Sequence, residues 1–197
     1  MEKSNRGILL AAPVAMAALL LGLVAPGTAL MSTQATTDSV GPHGYVVVTV
    51  TRDGNEVYRH EDHNLITNAG KDFISAQIGS TTPAGNGANF IALTTTAVTP
   101  AAGDTALAGE ITSGGLSRGT AGTYAHTNGQ STFTVTKQFS ATATHTNVQS
   151  AGLFTAAVTG TPGAGGDDGT MMAENTFSSV TLQNGDQLTI TWTITLS

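Results

Sequence analysis

The densest run of groups able to do chemistry is His60-Glu61-Asp62-His63. Two imidazoles and two carboxylates are metal-donor types, but paired histidines reach one ion from i, i+4 positions on a helix. Here they stand three apart at the end of a β-prone stretch. The run therefore predicts a solvated turn, and His60 and His63 become metal candidates only if other ligands join them. Asp167-Asp168 offers two hard carboxylates in a glycine loop, against the roughly six to eight oxygens that Ca²⁺ takes. It predicts a solubilising loop tip. Ser113-Gly-Gly-Leu-Ser117 lacks the Gly-x-Ser-x-Gly turn that presents a serine nucleophile. His126 and His145 stand among threonines and predict strand-surface positions. Gly163 to Gly169 carries carboxylates where a phosphate cradle needs a lysine. No catalytic centre, cofactor or metal is expected.

The elements that would carry such residues come from an unusual composition. The chain has 197 residues, only 10% of them charged, with 24 Gly, 34 Thr and no Cys. Thr is β-branched and suits a pleated, half-solvated surface, so an all-β fold is expected. Absence of Cys excludes disulfides, thiolate metal sites and thiol catalysis. A net charge of −6 offers nothing to replace counterions on a phosphate backbone, which argues against nucleic acid as a partner.

The N-terminus stands apart. Lys3 and Arg6 precede Ile8 to Ala25, eighteen residues without a charge. As a helix that run would span about 27 Å, just short of a bilayer core of ~30 Å. Three readings fit: a cleaved secretory signal, an uncleaved anchor, and a pilin-like leader processed after Arg6-Gly7 and kept in a filament core. All three place the rest of the chain outside the cytoplasm, with the membrane a partner at least during export. Ala11, Ala15, Ala18 and Gly22 continue to Ala25 and Ala29 as one seam of small residues, suited to close helix packing. Residues 31–44 have no hydrophobic periodicity and predict a flexible stalk. Its stretch Thr33-Gln34-Ala35-Thr36-Thr37 is a candidate for adding a strand to a neighbouring subunit.

From residue 45 onward the pattern predicts strands over Tyr45 to Thr51, Glu56 to His60, Asn89 to Thr94, Arg118 to Ala125, Ser131 to Ala141, Val148 to Val158, Met171 to Leu182 and Leu188 to Leu196. Asp53-Gly54, Asn128-Gly129 and Asn184-Gly185 supply turns. A helix capped by Asn68 and closed by Gly79 is predicted, with Phe73, Ile74 and Ile78 on one face; Asp104 is expected to open a helical turn reaching Glu110. Thr161 to Thr170 predicts a mobile loop. Leu188, Ile190, Trp192, Ile194 and Leu196 alternate with four threonines and should share one core with Phe133, Val135 and Phe154. The expected architecture is an antiparallel, jelly-roll-like β-sandwich over 45–197 with one short packed helix, preceded by an apolar helix over 1–30.

An ordered set of landmarks runs from Asn64-Leu-Ile-Thr-Asn68-Ala-Gly70 through Phe90-Ile-Ala-Leu93, Asp104-Thr-Ala-Leu107, Glu110, Arg118, Phe133, Phe139 and Gly152-Leu-Phe154. It continues with Gly169-Thr-Met171, Phe177, Leu182, Gly185-Asp186-Gln-Leu188 and Trp192-Thr-Ile194. In this order the chain resembles the tail-fibre-like structural proteins of phages and mobile elements, which implies a virion appendage component without enzymatic activity. In architecture it also resembles surface filaments built from exported jelly-roll subunits, which implies head-to-tail subunit contacts and a homopolymer. The combined expectation is a non-enzymatic subunit of an extracellular filament, with a virion appendage protein or a surface adhesion module, engaging a receptor or host surface, as alternatives.

Overall fold

Alternating burial along Tyr45 to Thr51 starts the fold: Val46, Val48 and Val50 are fully buried, while the residues between them face outward. The computed structural model describes residues 41–83, 86–157 and 168–197. The expected apolar helix, the stalk up to residue 40 and the tip of the Thr161–Thr170 loop lie outside the described residues. Strand β1 runs Pro42–Arg52 and turns through Asp53 and Gly54, at φ 50° and 80°, into β2, Asn55–Ile66. Two successive positive φ values are those of a type I′ hairpin.

β1 begins earlier than expected. Pro42, His43 and Gly44 are not stalk, because they pair with Leu196, Thr195 and Ile194. A side chain on Gly44 would collide with Asn64 and Ile194, so the strand closes there only on glycine.

The second departure matters more. β2 does not end at His60 but continues through His63 and Asn64 to Ile66. It pairs with β1 from Asn55 to Asn64, then transfers to β7, Met171–Leu182, through Leu65↔Glu174 and Ile66↔Ala173. The sheet bends at that transfer. Helix α1, Asn68–Gly79, follows immediately and is capped by Thr67 rather than Asn68. The Thr67 hydroxyl accepts from the Gly70 N–H (2.9 Å) and donates to the Met171 carbonyl (2.5 Å), which locks the helix start onto β7. Gly79 lies within the helix, and Ser80 is the C-cap.

The remaining strands are β3 (Phe90–Thr94), β4 (Thr123–His126), β5 (Thr132–Ser140), β6 (His145–Phe154) and β8 (Gln187–Leu196). Residues 104–110 form turns rather than a helix. Asp104 directs its carboxylate back to the Ala101 N–H, and Glu110 bridges to Thr94. All pairs are antiparallel in one curled sheet of order β3-β6-β7-β2-β1-β8-β5-β4. A hydrogen bond from the Gly122 N–H to the Asn89 carbonyl (2.6 Å) links the residues just ahead of the two edge strands.

The curl brings apolar faces from both halves into one cluster. Trp192, Ile194, Ile190 and Leu188 of β8 meet Ile91, Leu93, Ala151 and Leu153 from the other half, and Phe133 packs at the margin. Two expected core residues lie elsewhere. Phe154 directly follows Leu153, so strand alternation turns it to the opposite side, where it joins Ala92, Leu107 and Met171 in a second cluster. Leu196, at the end of its strand, is 41% exposed. After Gln187 the outward face of β8 is threonine, and Thr132–Thr195 and Thr136–Thr191 join hydroxyls across to β5 at 3.1 and 3.0 Å.

Trp192 is the largest fully buried side chain. Trp192→Ala should lower unfolding free energy by about 3 to 5 kcal/mol in urea titrations. Native emission should lie well to the blue of free indole; an emission maximum equal to that of indole in water would contradict this core.

Candidate functional site

The histidine pair is separated by the strand that carries it. In β2 the His60 ring turns inward against Phe177 (centroids 6.1 Å apart), whereas His63 lies on the outer face against Tyr45 (5.5 Å). The two imidazoles therefore occupy opposite faces and do not converge, and they belong to a strand rather than a turn. Asp168 contributes its backbone carbonyl to Arg118 (2.9 Å), and Asp167 lies outside the described residues. Among the described residues, no group of three or more His, Asp or Glu side chains is placed to hold an ion. Likewise, no helix of the described residues is long and apolar enough to cross a membrane. Ala11, Ala15, Ala18, Gly22 and Thr33 to Thr37 all lie outside the described residues.

The burial of several charges went unread in the sequence, Arg118, Glu110 and Glu174 among them. Arg118 is 1% exposed and pairs with Glu110 (3.0 Å), and its guanidinium stacks 3.7 Å above the centre of the Phe154 ring. Burial pushes the Glu110 carboxyl up and the Arg118 guanidinium down, while their mutual attraction opposes both shifts. The pair pins the long β3–β4 connection over the second apolar cluster. Glu174, also 1% exposed, faces Asp104 of the same connection. Burial, then the hydrogen bond and negative charge of Asp104, raise the Glu174 carboxyl from its ordinary 4.5 to about 7. One sequence sign was available: a solitary acid inside the apolar run Met171-Met-Ala-Glu-Asn175.

One groove on the surface is apolar. A groove of about 420 Å³ opens between α1 and the ends of β4, β5 and β8, within the range of ~300 to 1,000 Å³ usual for binding clefts. Phe73, Ile74 and Ile78 form one wall; Tyr124, Phe133 and Leu196 form the other. Phe73 and Ile74 pack onto the core as expected, but Ile78 on the same helical face is 78% exposed, because the last turn overhangs the groove. With Tyr124 and Leu196 it accounts for three of the four exposed large apolar side chains among the described residues. No lining residue is Asp, Glu, His, Lys or Arg. The chain enters beside this groove, since Pro42 is the strand partner of Leu196. Beneath it, the edge strand β4 is exposed at all four positions.

The chain matches no protein-family model, no curated protein and no solved structure.

The Glu174 shift has a definite pH signature. Between about pH 4.5 and 7 the folded chain holds a proton at Glu174 that the unfolded chain has released. Stability should therefore fall as pH rises through that window, by about 3 kcal/mol, and level off above it. Glu174→Gln keeps a neutral donor toward Asp104 and should flatten this slope in pH-dependent urea melts. An unchanged slope in the variant would assign it to other groups.

Proposed function

We propose that the protein is a structural subunit of an extracellular filament, exported through its N-terminal apolar segment and assembling with copies of itself through contacts that do not close. The observation that carries this reading is the uncharged apolar groove ringed by Ile78, Tyr124 and Leu196 beside the point where the chain enters the sheet. On a chain of net charge −6, such a patch marks an interaction surface. A heterologous contact made by one patch and a different segment propagates as a fibre. The strand pairs β1–β8, β2–β7, β3–β6 and β4–β5 are nested, and they support a jelly-roll type of sandwich as the finer description. Such a subunit needs no catalytic group, cofactor or metal.

Full-length protein isolated from its native surface, or refolded at neutral pH, should sediment as polymer and show filaments by negative-stain electron microscopy. A monodisperse monomer at every concentration up to the solubility limit would contradict the proposal.

A further inference from the structure

We infer that the groove between α1 and the β4, β5 and β8 ends receives the β1–β2 hairpin of a second copy of the chain, with Val57 as the inserted side chain. The inference rests on the filament reading and names the two surfaces that meet.

Strand register is the first argument. β1 and β2 pair as Val50↔Tyr58 and next as Thr51↔Glu56, so Val57 is the extra residue of a β-bulge and has no partner on β1. A bulge re-aims the side chain it carries. Here it leaves Val57 51% exposed, although Asp53, Asn55 and Glu56 beside it are polar. Folding has turned an apolar side chain out of the sheet at the one hairpin end.

Position is the second. Ile78, Tyr124 and Leu196 ring the groove, and Val57 completes the four exposed large apolar side chains among the described residues. β1 runs from one surface to the other: Pro42 pairs with Leu196 at the groove, and Thr51 pairs with Glu56 at the hairpin. At ~3.3 Å per residue these ends of β1 lie about 30 Å apart, so Val57 cannot fill the groove of its own copy. Copies stacked end to end bring the two surfaces together. The groove, at about 420 Å³, admits one branched side chain with its flanking backbone. Because the two surfaces differ, each added copy presents a fresh one and growth continues.

Charge is the third. No charged residue lines the groove, so Val57 enters without desolvating one. Lys71 lines the adjoining opening, which shares Ile74 with the groove and has no acid in its wall. Lys71 also has no ion-pair partner among the described residues. The hairpin supplies the complement in the exposed Asp53 and Glu56. Opposite charges beside an apolar plug fix the register and disfavour groove-to-groove contact.

The chain contains no cysteine, so introduced thiols report this contact without background. Full-length Val57→Cys protein, assembled with full-length Ile78→Cys protein under mild oxidation, should form a disulfide-linked mixed pair, and neither protein alone should cross-link. Val57→Asp, confirmed folded by an unchanged melting profile, should lower polymer yield by about tenfold or more, as expected for a charge buried without a partner. Lys71→Glu should lower the yield as well, and Glu56→Lys in the same chain should restore it. Filaments that form without the mixed disulfide would overturn the inference, as would Ile78→Cys protein that cross-links to itself. Normal filaments from the Val57→Asp chain would also overturn it, and in all three cases the filament reading would stand. A chain that stays monomeric throughout would overturn both.

Discussion

The transfer of β2 from one neighbour to another is the constraint on which the rest of this structure depends. From Asn55 to Asn64 the strand is hydrogen-bonded to β1; at Leu65 and Ile66 it is bonded to β7 instead. That change of partner joins β7, β6 and β3 to β2, β1, β8, β5 and β4 in one sheet and brings apolar faces of both groups together. Val46, Val48, Val50 and Trp192 then lie opposite Leu93, Ala151 and Leu153, all fully buried. It also sets the helix. Thr67, one residue beyond the transfer, bonds to β7 carbonyls and starts α1 flush against the strand, where a side chain on Gly70 would strike the Met172 carbonyl. The groove is a consequence: α1 begins on β7 and runs past the ends of β8, β5 and β4.

Charge is handled with similar economy. On the exposed stretch of β2, Arg59 is paired with Glu61 and Glu56 in water. Exposed pairs of that kind contribute little. The more enclosed ones tie turns and a long connection to the sheet. Arg52 makes a two-pronged bond to Asp186 (2.9 and 2.6 Å), linking the first hairpin to the β7–β8 turn, and it holds the Asp186 carboxyl below its usual range. Arg118 and Glu110 fasten the β3–β4 connection, stacked on Phe154. Removing one partner of a buried pair leaves an uncompensated charge, typically at a cost of about 3 to 5 kcal/mol.

Much of this fold was legible because its signals are local. The Asp53-Gly54 and Asn128-Gly129 turns, the limits of β7 and the alternation of β8 through Ile194 follow from two-residue periodicity and turn chemistry. Thr67 and Asn68 are both good capping residues; the contact of Thr67 with Met171, more than a hundred residues away, decides between them. The continuation of β2 was hidden because its charges suit a turn as well as a solvent face. Arg118 and Glu174 were hidden for a different reason. Whether a charge is buried depends on partners such as Phe154 and Asp104, which the fold supplies from distant segments. The groove had no local signature at all, since one helix and the ends of several strands build it, and Ile78 looked like a core residue from its helical spacing alone.

These features describe a curled sheet with an uncharged groove at one end, beside the paired Pro42 and Leu196. On the proposed filament reading, that groove is covered in the assembled protein. A cryo-electron microscopy map of the native polymer tests this most directly. It should show Ile78, Tyr124 and Leu196 covered by an adjacent subunit. A polymer in which those three side chains face solvent, with the adjacent subunit bound elsewhere, would contradict it.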